Sequence, residues 1–155
     1  MKTICSGRGS MPYVQGCDDA AVRLLPGTPF YDAQERMKEY LLSVEDDRML
    51  YNFRRASGLD TGDAEPLDGW ETWESQIRGH TTGHYMSALA LCYHATGDVR
   101  FKEKAVYMVE SLRKCQEAFS RMEGVGEGFL SGYLPNQFDQ LEEYVEYPAI
   151  WAPYY

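Results

Sequence analysis

The sequence predicts an all-α fold, a segment of an α/α toroid built from antiparallel inner and outer helices. Three observations carry that prediction. Tyr85 to Tyr93 holds a single polar side chain, Ser87, so a helix there is apolar all round and must be enclosed by protein. Phe101, Ala105, Met108, Leu112, Cys115 and Phe119 step by fours and threes, one apolar seam on a helix. Lys102, Glu103, Lys104, Glu110, Arg113 and Lys114 take its other faces. Thr96-Gly97-Asp98 joins the two by a turn that brings the chain straight back, so helices over about 77–97 and 98–121 are antiparallel. Gly97 supplies the stop, because glycine enters the left-handed region without a β-carbon clash.

Composition bounds what such a fold can do. The 155 residues are one domain's worth, and 44% hydrophobic content is that of a globular chain. A net charge of −9 argues against nucleic acid as a partner. Met1 to Pro12 has no apolar core of a signal peptide, and nothing approaches the roughly 20 apolar residues of a membrane span. Compartment and oligomeric state stay open. Twelve tyrosines and three tryptophans suit stacking on ring-shaped ligands, and equally an aromatic-rich core. Cys5, Cys17, Cys92 and Cys115 show no C-x-x-C spacing. Cys92 and Cys115 fall on helical stripes and read as small buried hydrophobes.

In order, residues 1–21 form an irregular segment, frayed or partly extended, and the helical portion runs over 22–155. Pro26-Gly27-Thr28-Pro29 is a turn. Asp32 with Glu35 three residues on suggests a capped helix start, and Ala33, Met37, Tyr40, Leu41 and Val44 mark its apolar stripe. Gln34, Glu35, Lys38 and Glu39 lie mostly away from that stripe. From Glu45 to Gln76 the pattern breaks down, and Met49 to Arg54 is either a helical turn or an extended piece. Gly58 to Gly69 is a loop within a long connection, the kind that more often carries function than not. After the amphipathic helix, Gly124 to Gly128 is a flexible loop and Phe129 to Pro135 a short strand or extended return. Asp139, Glu142, Glu143 and Glu146 form a solvated face.

Chemistry concentrates just before the apolar helix. His80 and His84 are four residues apart in Arg78-Gly79-His80-Thr81-Thr82-Gly83-His84-Tyr85 and share a helix face. A neutral imidazole donates from one nitrogen and accepts at the other, which suits a sugar hydroxyl. The same spacing can chelate a metal, although no third ligand is evident, and His84 can equally be a satisfied core histidine. Upstream, Gly69-Trp70-Glu71-Thr72-Trp73-Glu74 sets two indoles beside two carboxylates. Indole faces stack on sugar C–H faces and carboxylates accept from hydroxyls; alternatively Trp70 and Trp73 seal the loop onto the helices. His94, near the C-terminal end of the same helix, reads as a dipole-complementing or packing residue.

These blocks also carry a resemblance. Leu24-Leu25-Pro26-Gly27 with Phe30 to Arg36, Leu50 to Arg54, Arg78 to Tyr85, and Trp151-Ala152-Pro153-Tyr154-Tyr155 resemble, in order, the N-terminal part of the β-L-arabinofuranosidase family, glycoside hydrolase family 127 with its relative family 146. The resemblance implies an (α/α)6 barrel followed by β-domains, and a retaining mechanism with a cysteine nucleophile held near zinc. It places the zinc ligands, that cysteine and the acid/base glutamate downstream of these blocks, and none of Cys5, Cys17, Cys92 or Cys115 matches the nucleophile. The chain is therefore expected to be an N-terminal fragment, with no catalytic residue and no metal ligand of its own. It also implies that His84 hydrogen-bonds the arabinose of an L-arabinofuranosyl glycan, with His80 a weaker candidate. Substrate-binding residues are thus expected at His84, His80, Trp70 and Trp73. Two functions follow as expectations: a glycoside hydrolase acting on L-arabinofuranosyl linkages, or a non-catalytic helical carbohydrate-binding or interaction domain.

Overall fold

The computed structural model describes residues 16–143, and the readings made for residues 1–15, Glu146 and the Trp151 to Tyr155 cluster lie outside that span. Five helices occupy it: α1 (Pro29–Ser43), α2 (Asp46–Ala56), α3 (His80–Thr96), α4 (Val99–Phe119) and α5 (Pro135–Glu143). Short 3₁₀ turns stand at Asp19–Ala21 and Gly69–Glu71, and no strand forms among the described residues. The all-α expectation holds, and α3 with α4 is the expected pair. Gly97 closes α3 at φ 73°, its N–H donating to Tyr93 O (2.7 Å), and Asp98 caps α4 from the next position. Phe129 to Leu134 is an irregular return, not a strand.

The core lies where α1, α2 and α4 meet one side of α3. Leu41, Met49, Leu50, Tyr85, Leu89, Phe101 and Met108 form it, and α4 turns its whole predicted seam inward. Polar ties lock the same junction. Tyr85 donates to Asp46 Oδ1 (2.9 Å), which also pairs with Lys104 (3.0 Å), and Thr82 Oγ1 donates to Met49 O (2.8 Å). Burial and the Asp46 carboxylate push the Tyr85 hydroxyl above its usual range. Cys115 is buried, as read, whereas Cys92 is only half-buried; burial raises both thiols.

Three expectations are corrected and one open reading is resolved. The cap of α1 is Thr28, whose Oγ1 accepts from Tyr31 N–H (3.3 Å), not Asp32; Pro29 occupies the first turn, where its fixed φ and missing N–H are harmless. The stripe of α1 is misplaced. Leu41 is its one buried residue, Ala33, Met37 and Tyr40 are exposed, and Gln34, Glu35 and Lys38 are half-buried. The undecided Met49 to Arg54 stretch is the body of α2, which buries Met49, Leu50, Asn52 and Ala56 and shortens the long connection to 57–79. Finally, α3 is not enclosed on every side. Thr82, Tyr85 and Leu89 are buried, whereas Gly83, His84, Ser87, Ala90, Leu91 and His94 face outward. The three described helices packed on α3 cover one side of it and leave the other outward.

Two surface carboxylates set an acid limit. Arg100 holds the Asp98 carboxyl down at about 2, through a side-chain pair at 2.6 Å. The Tyr107 hydroxyl and then Arg54 (2.8 Å) hold Asp47 below its usual range. Both folded values lie under the unfolded ones, so their stabilisation is fully present above about pH 4 and is lost as pH falls through the folded values. Urea midpoints are expected to be flat with respect to these pairs from neutrality to about pH 5 and to decline below pH 4. In Asp47→Asn with Asp98→Asn, that decline should be shallower.

Candidate functional site

The site is built on the N-terminus of α3. Gly79 stands at the cap with φ 87°, a conformation that favours glycine, and a β-carbon there would come within 3.2 Å of the Phe53 ring, which would have to give by a few tenths of an ångström. A glycine cap has no side chain to accept from the first-turn amides. Glu71 supplies the acceptor from the preceding loop. It is 4% exposed, its Oε2 accepts from Gly79 N–H (2.6 Å) and its Oε1 accepts from Thr81 N–H (2.7 Å). A carboxylate at the positive end of the helix dipole also gains electrostatically. Asn52 Nδ2 donates to the Glu71 carbonyl (2.7 Å), so α2 fixes the capping residue in turn.

With its first turn held this way, α3 presents His80, Gly83, His84 and Ser87 along one face of a cleft of about 570 Å³. Phe53, Arg78 and the return Leu130 to Tyr133 form the rest of its lining. The two imidazoles converge. Their Nε2 atoms are 3.1 Å apart, one donating to the other, and the rings meet edge-on at 4.4 Å between centroids. Gly83 lies between them in sequence, and a β-carbon added there would meet nothing within 4 Å. The Ser87 hydroxyl, one turn on, donates to Gly83 O (3.0 Å).

Arg78 is the wall of the cleft. Its guanidinium donates to Gly132 O (2.7 Å), Trp73 O (2.7 Å), Ser75 O (3.2 Å) and Gln137 Oε1 (2.5 Å). It also lies 4.5 Å from the Trp73 ring centroid and 4.4 Å from that of Tyr133. Burial lowers its pKa from the ordinary arginine value. One buried cation thus binds the loop before α3 to the return after α4 and to α5. Phe119, Phe129, Phe138 and Tyr133 continue that closure as a chain of edge-on rings, 5.0 to 6.3 Å apart.

The structure brings His80 and His84 together and sets Trp70 beside them. Trp70 is 66% exposed, with its ring 6.4 Å from that of His80, and it is not among the residues that line the cleft. Trp73 does not line the cleft; it stacks under Arg55 (4.1 Å) and Arg78, as in the sealing alternative. Glu71 is the cap and Glu74 faces solvent. His94 stands apart, paired with Asp18 at 2.6 Å. The sequence reading missed Phe53 and Leu130 to Tyr133 as walls, since their approach depends on contacts more than twenty residues apart, and it gave Arg78, two residues from His80, no role. Ser87 was legible as the lone polar residue of its run, three positions after His84. Among the described residues no three His, Cys, Asp or Glu side chains stand together, so the zinc implied by the resemblance has no three-ligand seat within 16–143.

The class these features define is an all-helical, α/α-toroid type of domain with a cleft at the N-terminal mouth of α3, lined by the two imidazoles, Phe53, Arg78 and Tyr133. A family model described as the catalytic domain of GH127 β-L-arabinofuranosidase matches residues 21–155, and the chain belongs to that family of glycoside hydrolases. No match was found among curated proteins. Membership of a glycoside hydrolase family implies a carbohydrate substrate.

Proposed function

We propose that the cleft holds an L-arabinofuranosyl unit of a plant glycan, as part of a retaining glycoside hydrolase. The supporting observation is the open space at Gly83. A glycine inside a helix costs about 1 kcal/mol relative to alanine, and here no packing among the described residues requires it. What it leaves is an approach to backbone and imidazoles that a side chain would obstruct. His84 and His80 bond the sugar hydroxyls, each donating or accepting as the hydroxyl demands, and Trp70 stacks from beside His80. The exposed faces of α1 and α3 are covered by further helices of the barrel, which bring the nucleophilic cysteine, its zinc and the acid/base glutamate. This chain is then the N-terminal portion of the catalytic domain.

One observation favours the non-catalytic alternative for the chain by itself. No carboxylate lines the described cleft, and Glu71 has both oxygens on backbone amides. Retaining hydrolysis needs a nucleophile and an acid/base on either side of the scissile bond. The 155-residue chain is therefore expected to bind arabinofuranosides weakly and to turn none over. Incubation with an aryl β-L-arabinofuranoside tests the second part, and clear release of the aryl alcohol would overturn it. Gly83→Ala tests the first. It should raise stability by about 0.5–1 kcal/mol while weakening binding of methyl β-L-arabinofuranoside in an NMR titration. Unchanged binding would remove the reason for the glycine.

A further inference from the structure

We infer that Ser131, on the return after α4, is a further sugar-contact residue of the cleft, its hydroxyl donating to a ligand hydroxyl from the wall that the return contributes. The inference rests on the arabinofuranoside reading above and adds to it a specificity-determining group on a second element. Its ground is where the protons of the cleft's polar groups go. The Ser87 hydroxyl donates to Gly83 O (3.0 Å), and the Nε2 atoms of His80 and His84 meet in one hydrogen bond (3.1 Å). Arg78 donates to three carbonyls and to Gln137. Ser131 differs. Its Oγ accepts from Tyr133 N–H (3.0 Å), and its own O–H has no acceptor among the described residues. Ser131 lines the cleft and is half-buried, so a donor there calls for an acceptor on the ligand.

The serine is also held in place, as a contact residue must be. Gly132, next in the chain, lies so close to the mouth of α3 that a β-carbon on it would stand 3.4 Å from Arg78 O and 3.5 Å from Gly79 Cα. Its carbonyl accepts from Arg78 Nε (2.7 Å), and the Tyr133 hydroxyl donates to Gln76 O. The bond from Tyr133 N–H then limits rotation of the Ser131 side chain. Leu130 and Phe53, in the same lining, give apolar surface against which the C–H face of a furanose ring can lie. With imidazoles on α3 and a hydroxyl donor on the return, two elements bond different hydroxyls of one ring and decide which way round it sits.

The test is an NMR titration of methyl β-L-arabinofuranoside and its three monodeoxy forms into the full chain, Ser131→Ala, Ser131→Thr and His84→Ala. Circular dichroism shows whether each variant is folded. Ser131→Ala should bind methyl β-L-arabinofuranoside about three- to tenfold more weakly, the worth of one hydrogen bond. Ser131→Thr keeps the hydroxyl and should bind within about twofold of the unsubstituted chain. One deoxy form should bind the unsubstituted chain and Ser131→Ala equally, because it lacks the hydroxyl that Ser131 meets. A serine that only shaped the return would show no such coupling to a single sugar position. If His84→Ala weakens binding and Ser131→Ala does not, the Ser131 assignment falls and the arabinofuranoside reading stands. No binding of any of the four glycosides to the unsubstituted chain would overturn both. Equal losses in Ser131→Thr and Ser131→Ala, an unfolded Ser131→Ala, or no coupling at any sugar position would each overturn the assignment.

Discussion

Glu71→Ala is expected to destabilise the chain by about 3–6 kcal/mol, from the loss of two buried, charge-assisted hydrogen bonds at about 1.5–3 kcal/mol each. The substitution strands the Gly79 and Thr81 amides at the mouth of α3, where glycine offers no substitute acceptor. Glu71→Gln should recover part of the loss, because its amide oxygen can take one N–H but its NH₂ faces the other. Urea unfolding of the three proteins checks the order. A Glu71→Ala variant within 1 kcal/mol of the parent would mean that water caps the helix as well as the carboxylate does.

In a catalytically active protein carrying this segment, His84→Ala is expected to lower kcat/KM by roughly ten- to a hundredfold, which is the loss of about 1–3 kcal/mol from one aligned hydrogen bond. Its fold should survive, because His84 is exposed on α3 and contributes nothing to the core. The measurement is steady-state hydrolysis of an aryl β-L-arabinofuranoside beside circular dichroism of both proteins. His80→Ala bears on the same pair from the other side. If both imidazoles position the sugar, the two variants together should lose less than the sum of their separate losses. Unchanged kcat/KM in folded His84→Ala would leave His84 with no part in sugar binding.

How much of this was legible in the sequence follows from the range of the interactions. The α3–α4 pair was legible because its cues are local: Gly97 after a long apolar run, and a seam whose steps of three and four close on one face. The histidine pair was legible for the same reason, since i, i+4 spacing alone places both rings on one side. The face of α1 was not. Its apolar residues point where the described chain supplies no neighbour, while Lys38 reaches inward to Glu35 and Asp98. Periodicity reports which residues avoid water, and cannot say which element will cover them. In α2, charged Asp46, Asp47, Arg54 and Arg55 crowd both ends of an eleven-residue helix and dilute its apolar period. The role of Glu71 had no local cue, because a carboxylate eight to ten residues before its amides fits no capping motif.

The cap on α3 has a kinetic consequence. First-turn amides of a helix ordinarily exchange with solvent early, since the end frays without disturbing the rest. Gly79 and Thr81 cannot be released that way. Freeing them requires the Gly69–Glu71 turn to leave, and that turn is held by Asn52 of α2. Their hydrogen–deuterium exchange should therefore track cooperative opening of the loop with the helix, at rates nearer those of the Leu89 region than of a frayed terminus. The mouth of the candidate cleft would then be among the slowest-opening parts of the chain, its geometry fixed by the fold itself.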